Sequence, residues 1–151
     1  GDEVSYGRPP PGGGSWRERM LGEVGAGLDP KRVHFLGRIP YADYRRLLQV
    51  STVHVYLTYP FVLSWSLLEA MATGCAIVAS STGPVTEGIS DGTNGRLIEF
   101  FDRKGIANRA ADLIADPALR HRLASEAIAS ATAYYSFAEI YPRARRTLGV
   151  S

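Results

Sequence analysis

The sequence predicts an α/β protein: a Rossmann-like, three-layer parallel sheet with helices on both of its faces. Three observations support this fold class. Short, almost wholly apolar runs alternate along the chain with segments of helical spacing, which is typical of strands buried on both faces. Turn and capping residues separate these segments. A chain of 151 residues is also long enough to bury a complete hydrophobic core.

The chain is predicted to form one domain over residues 1–151, with three parts. Residues 1–15 contain three consecutive prolines and three consecutive glycines, which indicate a loop or linker. Residues 16–100 are predicted to form the α/β core. Residues 101–151 are predicted to be helical.

Strands and helices alternate in the predicted core. Ser15 and Glu18 have capping-box spacing at the start of the first helix. The predicted helices lie at residues 16–27, 40–50, 66–72 and 84–89. The predicted strands lie at residues 33–36, 53–57, 75–79 and 94–98. Parallel strands joined by right-handed crossovers would place helices on both faces of the sheet.

Three further helices are predicted after the core. Asp102 is placed to cap a helix that runs to residue 115, and Asp116 with Pro117 begins the next. Ser136 with Glu139 begins the last. That helix carries three arginines close to the carboxyl terminus, where cations complement the helix dipole. A docking surface for a partner is the alternative interpretation of this cluster: Arg143, Arg145 and Arg146.

Composition argues against several classes of protein. The net charge is only +2, and the cations are scattered, so no nucleic-acid partner is expected. The single cysteine, Cys75, forms no metal-ligand spacing, and no metal or cofactor site is expected. No apolar run approaches the ~20 residues that span a bilayer. A cytoplasmic location is therefore expected. His34, His54 and His121 stand alone and are assigned no chemistry.

The segment that follows the strand at 53–57 is the strongest candidate for a binding site. In an open parallel sheet, ligands bind beyond the carboxyl ends of strands, where helix amino termini present unpaired N–H groups to anions. Residues 64–68 are therefore a candidate phosphate site. Glu69 has two interpretations from the pattern: a capping box with Ser66, or a carboxylate that accepts hydrogen bonds from a ribose diol.

Several motifs give the chain a resemblance to a known family. They are FLG at 35–37, LLEAMATG at 67–74, the segment 80–87, and DGTNGRLI at 91–98. In this order they resemble the carboxyl-terminal half of GT-B glycosyltransferases of group 1, also called family 4. The resemblance covers residues 1–2 and 16–147, and the Pro/Gly tract departs from it.

The resemblance implies a retaining, hexosyltransferase-like enzyme that moves a sugar from a nucleotide-diphosphate sugar to an acceptor hydroxyl without a required metal. Glu69 matches the second glutamate of the family's E-x7-E motif, which binds the ribose. Arg38 and Ile39 match the turn whose backbone reads the base. Five residues match the family segment whose backbone contacts the diphosphate and the donor sugar: Ser64, Trp65, Ser66, Leu67 and Leu68.

Two departures from the family pattern stand out. Phe61 occupies the position of the first glutamate of E-x7-E, so the catalytic residue is not identified. The family's diphosphate-clamping Arg and Lys, and the first strands of the sheet, fall before Gly1. The chain is thus expected to be a truncated donor-binding domain. Its partner would be an amino-terminal acceptor-binding domain of the same chain, and the segment alone would be inactive. The alternative is a non-catalytic Rossmann-like module that binds a nucleotide or a partner.

Overall fold

A computed structural model describes residues 9–58 and 62–149. The chain divides into two compact units, one up to Tyr44 and one from Arg45. Within the described ranges, no helix has both the length and the apolar character needed to cross a membrane.

The first unit begins with the predicted capped helix. Helix α1 (Trp16–Val24) is followed by a 3-10 turn (Gly25–Gly27). The Ser15 hydroxyl accepts from the Glu18 amide at 3.1 Å, and Glu18 Oε2 accepts from the Ser15 amide at 2.8 Å. The predicted capping box is therefore confirmed.

The strand predicted at residues 33–36 is wrong, because this segment has no regular secondary structure. Phe35 and Leu36 leave about half of their surface exposed, at 49% and 53%. An apolar run becomes a strand only when another strand supplies its hydrogen bonds. In this unit, the amide of Val33 instead bonds locally to the carbonyl of Asp29, at 3.1 Å.

The second unit contains a parallel sheet. Among the described residues it has three strands in the order β1 (Val53–Tyr56), β2 (Ala76–Ser80) and β3 (Arg96–Ile98). Val53 lies opposite Ala76, and Val78 lies opposite Arg96. Three of the four predicted strands are confirmed, and their parallel arrangement is confirmed with them.

The remaining helices follow the predicted alternation. Their bounds are α2 (Tyr41–Val50), α3 (Trp65–Ala72), α4 (Gly83–Thr86), α5 (Arg103–Ala115), α6 (Pro117–Tyr135) and α7 (Phe137–Leu148). Asp102 caps α5 through the amide of Gly105 at 2.8 Å, and Asp116 caps α6 through the amide of Leu119 at 2.9 Å. Ser136 precedes α7 as predicted but makes no side-chain capping bond.

The core is built around β2, whose five residues are all buried. On one face, Ala76 and Val78 pack with Leu113 of α5 and Leu123 of α6. On the other face, Ile77 and Ala79 are wholly buried as well. A strand covered on both faces is apolar throughout, which explains why the run at 75–79 could be recognised from sequence.

Candidate functional site

The carboxyl ends of β1 and β2 lie side by side in the sheet. The chain after β1 reaches α3, whose amino-terminal cap is Ser64, and the chain after β2 reaches α4. Ligands of open parallel sheets bind at this edge because helix starts and strand ends converge there. The start of α3 is therefore the candidate binding site.

Two serines form the first turn of α3. The Ser64 hydroxyl accepts from the Ser66 amide at 3.2 Å, and the two hydroxyl oxygens lie 2.8 Å apart. Only one of the two hydroxyls donates its proton to the hydrogen bond between them, so the proton of the second hydroxyl is not used in that bond. The pair can therefore offer a hydroxyl proton to an anionic ligand without breaking its own contact.

The start of α3 does not support the capping-box interpretation of Ser66 and Glu69. The helix begins one residue earlier than predicted, at Trp65, so Ser64 is the cap and Ser66 already lies inside the first turn. The amide that the Glu69 carboxylate was expected to receive is bonded to the Ser64 hydroxyl. Two serines at alternate positions made both starts compatible with the local pattern.

Glu69 instead lines an open groove between α3 and the end of α6, with a volume of about 250 Å³. Trp65, Leu68 and Glu69 all face this groove from α3, where their spacing places them on one side of the helix. Trp65 is 80% exposed. Leu67, by contrast, is wholly buried in the core, so only its backbone could meet a ligand.

Sequence reasoning missed the second wall of this groove. Thr132, Tyr135 and Ser136 line it from the end of α6. Burial raises the pKa of the Tyr135 hydroxyl, and the negative charge of Glu87 raises it further, so the phenol stays neutral. The sequence did carry a partial indication, since Ala127 and Ala131 are small buried residues four apart, a spacing that lets another helix pack closely.

The other predicted site residues are not part of α3. Arg38 is exposed and Ile39 is half-buried, and both belong to the first unit, after a left-handed turn at Gly37 with φ of 61°. Phe61 falls outside the described residues. The structure thus brings together Ser64, Trp65, Ser66, Leu68 and Glu69 on α3.

Metal-ligating side chains do not gather at this edge. Within the described part of the chain, no group of three or more His, Cys, Asp or Glu side chains is arranged to hold a metal ion. The described side chains at the start of α3 and along the groove supply hydroxyl groups, the Glu69 carboxylate and an aromatic wall.

A parallel α/β sheet with a polar helix start at its carboxyl edge defines the class of Rossmann-like binding domains. The family model described as "Glycosyl transferases group 1" matches residues 11–130. The chain belongs to this family.

Curated relatives include enzymes with different products. The chain is 38% identical over 98 residues to the lipopolysaccharide core biosynthesis mannosyltransferase LpcC of Rhizobium leguminosarum, covering 64% of the chain and 26% of the relative. It is 35% identical over 91 residues to an alpha-maltose-1-phosphate synthase of Mycobacterium tuberculosis, covering 56% and 24%. The chain therefore spans about a quarter of the length of these relatives.

Solved structures of the same fold are longer as well. A crystal structure of Anabaena HepE in complex with UDP-glucose superposes with a TM-score of 0.80 at 25% identity, covering 89% of this chain and 36% of that one. The C-terminal domain of the group 1 glycosyltransferase LpcC from Francisella tularensis gives a TM-score of 0.66 at 29% identity, covering 81% and 63%. The architecture is thus that of the GT-B glycosyltransferases of group 1.

Proposed function

We propose that this chain is the donor-binding part of a retaining, hexosyltransferase-like glycosyltransferase. The complete enzyme would transfer a sugar from a nucleotide-diphosphate sugar to an acceptor hydroxyl. An acceptor-binding domain elsewhere in the same polypeptide would supply the other wall of the cleft. The segment by itself would bind the donor and transfer nothing.

The observation that carries the proposal is the arrangement of the first two turns of α3. The serine pair lies at the positive end of the helix, and Glu69 follows Ser66 by three residues, about one turn along the axis. A nucleoside diphosphate carries two anionic phosphates next to a ribose diol. The helix start suits the phosphates, and the carboxylate suits the diol as a double acceptor.

The relatives support the same chemistry. Anabaena HepE has the same fold and is known in complex with UDP and with UDP-glucose. Several relatives are named as glycosyltransferases or synthases of glycosides. We extend donor binding to this chain on that basis, with Ser64, Ser66 and Glu69 as its principal side chains. On the sequence resemblance alone, we assign reading of the base to the backbone at Arg38 and Ile39.

The proposal needs no metal or cofactor. Phosphate charge would be balanced by helix amides and hydroxyls at the α3 start.

Ligand-observed NMR with UDP, GDP and ADP tests this proposal on the chain as it stands. We expect millimolar binding of at least one nucleotide, because the serine hydroxyls that would meet the phosphates are neutral, whereas a charge-assisted hydrogen bond is worth more, ~1.5–3 kcal/mol. Uridine, guanosine and adenosine serve as controls and should bind more weakly, since they carry no phosphate. Silence from all three nucleotides at millimolar concentration would contradict the proposal.

One observation favours a second candidate, a non-catalytic module that binds a nucleotide or a partner. Phe61 stands where the family has a glutamate, and an aromatic ring cannot accept a sugar hydroxyl or stabilise a cationic transition state. Sugar transfer by the full-length protein separates the two candidates. Transfer supports the enzyme, whereas nucleotide binding without transfer supports the module.

A further inference from the structure

Ser80, the last residue of β2, is wholly buried and binds the backbone of a neighbouring segment. Its hydroxyl oxygen lies 3.2 Å from the Thr58 amide nitrogen and 3.2 Å from the Thr58 carbonyl oxygen. The hydroxyl therefore accepts a proton from the first group and donates its own to the second. One side chain satisfies both backbone groups of a residue 22 positions away.

These two hydrogen bonds lie just beyond the end of the backbone hydrogen bonding between β1 and β2. The last paired residues of the two strands are Tyr56 and Ala79. Thr58 lies two residues beyond that pair, so the Ser80 side chain takes the place of a further rung. On its other side, the chain after Ser80 stays joined to β3, because the Ser81 amide donates to the Ile98 carbonyl at 2.8 Å.

The hydrogen bonds to Thr58 are close in sequence to the start of α3. Only five residues of sequence separate it from Ser64, the cap of α3. The position at which the chain leaves β1 therefore limits where the start of α3 can lie. A binding site that is held about 1 Å too loosely loses much of its function.

We propose that Ser80 is a positioning residue for the donor site: its hydroxyl fixes Thr58, and the position of Thr58 in turn limits where the serine pair of α3 can lie. This inference rests on the proposed function, since it concerns the same site. Ser80 itself contacts no donor atom in this proposal. Its effect passes through the backbone of Thr58.

The test uses three variants of this chain. Ser80→Ala removes the hydroxyl without adding volume, and Ser80→Thr retains it. Ser81→Ala is the matched control, because it removes a neighbouring hydroxyl that bonds to Glu99 Oε1 at 3.0 Å, on the exposed side of the same segment. Dissociation constants for the nucleotide that the parent binds best are measured by NMR, alongside melting temperature and amide exchange at Thr58.

We expect Ser80→Ala to weaken nucleotide binding on the order of tenfold and to speed exchange of the Thr58 amide. Ser80→Thr should restore both values, and Ser81→Ala should stay within twofold of the parent. A purely structural role predicts a lower melting temperature with unchanged affinity. Unchanged affinity in Ser80→Ala, or an equal loss in Ser81→Ala, would overturn the proposal.

Two measurements on the parent keep the inference separate from the proposed function. The Thr58 amide should exchange slowly in the parent, and exchange as fast as that of an exposed amide would overturn the link to Ser80 whether or not a nucleotide binds. If the parent binds none of the three nucleotides, the proposed function fails, and the donor role of Ser80 fails with it.

Discussion

The side-chain amide of Asn94 donates a 3.0 Å hydrogen bond to the hydroxyl of Ser130, which joins the turn before β3 to the middle of α6. Asn94 is 5% exposed. It also donates to the Gly88 carbonyl at 3.0 Å and accepts from the Ser90 amide at 2.7 Å. One side chain thus organises the turn and anchors it to a helix.

Asn94→Ala should lower the free energy of unfolding by about 2 kcal/mol, because it removes three hydrogen bonds, two of them to part-buried backbone groups of Gly88 and Ser90. Urea denaturation followed by circular dichroism measures this. Ser130→Ala is the control, since it breaks only the bond to α6 and should cost about 1 kcal/mol or less. Equal losses in the two variants would contradict the organising role of Asn94.

Gly95 has no room for a side chain. A Cβ at this position would lie 2.9 Å from Ile89 Cγ2 and 3.4 Å from the Ile77 carbonyl oxygen. Gly95→Ala should therefore cost about 1–3 kcal/mol through overpacking. Gly83→Ala is the matched control, because a Cβ there has no neighbour within 4 Å, and it should change stability by less than about 0.5 kcal/mol. A neutral Gly95→Ala would show that Ile89 moves aside freely.

His54 should make folding stability depend on pH. Burial lowers the pKa of its imidazole, and within the described part of the chain its Nε2 is buried without a hydrogen-bond partner. The unfolded chain, with a histidine pKa of about 6.5, therefore binds more protons than the folded chain below that pH. The stability that comes from keeping His54 neutral is fully present above about pH 6.5, and it is lost as the pH falls below that value towards the pKa of His54 in the folded chain.

The melting temperature of the parent should drop more between pH 8 and pH 5.5 than that of His54→Phe, which cannot be protonated. His121→Gln, at an exposed position on α6, is the control and should follow the parent. Parallel curves for the parent and His54→Phe would contradict this prediction.

Features that depend on contacts between neighbours in sequence could be predicted, whereas features that depend on distant parts of the chain could not. The caps at Ser15, Asp102 and Asp116 are local, and all three form as predicted. The strand predicted at 33–36 failed because strand formation depends on a pairing partner, which a local apolar run does not reveal.

The candidate site shows the same division. The shared face of Trp65, Leu68 and Glu69 on α3 follows from helix spacing and could have been predicted. The opposite wall of the groove could not be predicted in this way. Tyr135 lies 66 positions after Glu69 in the sequence and reaches the groove only because α6 packs on α3. The choice between Ser64 and Ser66 as the cap was equally beyond local pattern.

Phe61→Glu tests what the aromatic residue does in the proposed full-length transferase. Phe61 lies outside the described residues, so this prediction rests on sequence: its neighbours 59–63 are aromatic, apolar or proline, and a charge among them carries a desolvation cost. Sugar transfer should fall, while the solubility of the isolated chain should rise. Val62→Glu, at a position 63% exposed, is the control for added charge. Faster sugar transfer by Phe61→Glu would contradict this prediction, and it would mean that a catalytic glutamate was lost at this position without Phe61 gaining a role of its own.

The central claim is that the Glu69 carboxylate binds the donor, and Glu69→Gln tests it most directly. The amide keeps the size of the side chain but loses its charge and one acceptor, so nucleotide binding should weaken by about 1–3 kcal/mol with little change in melting temperature. Glu126→Gln, at an exposed position on α6, is the control and should bind like the parent. A lower melting temperature with unchanged nucleotide affinity in Glu69→Gln would contradict the claim and assign Glu69 a structural role.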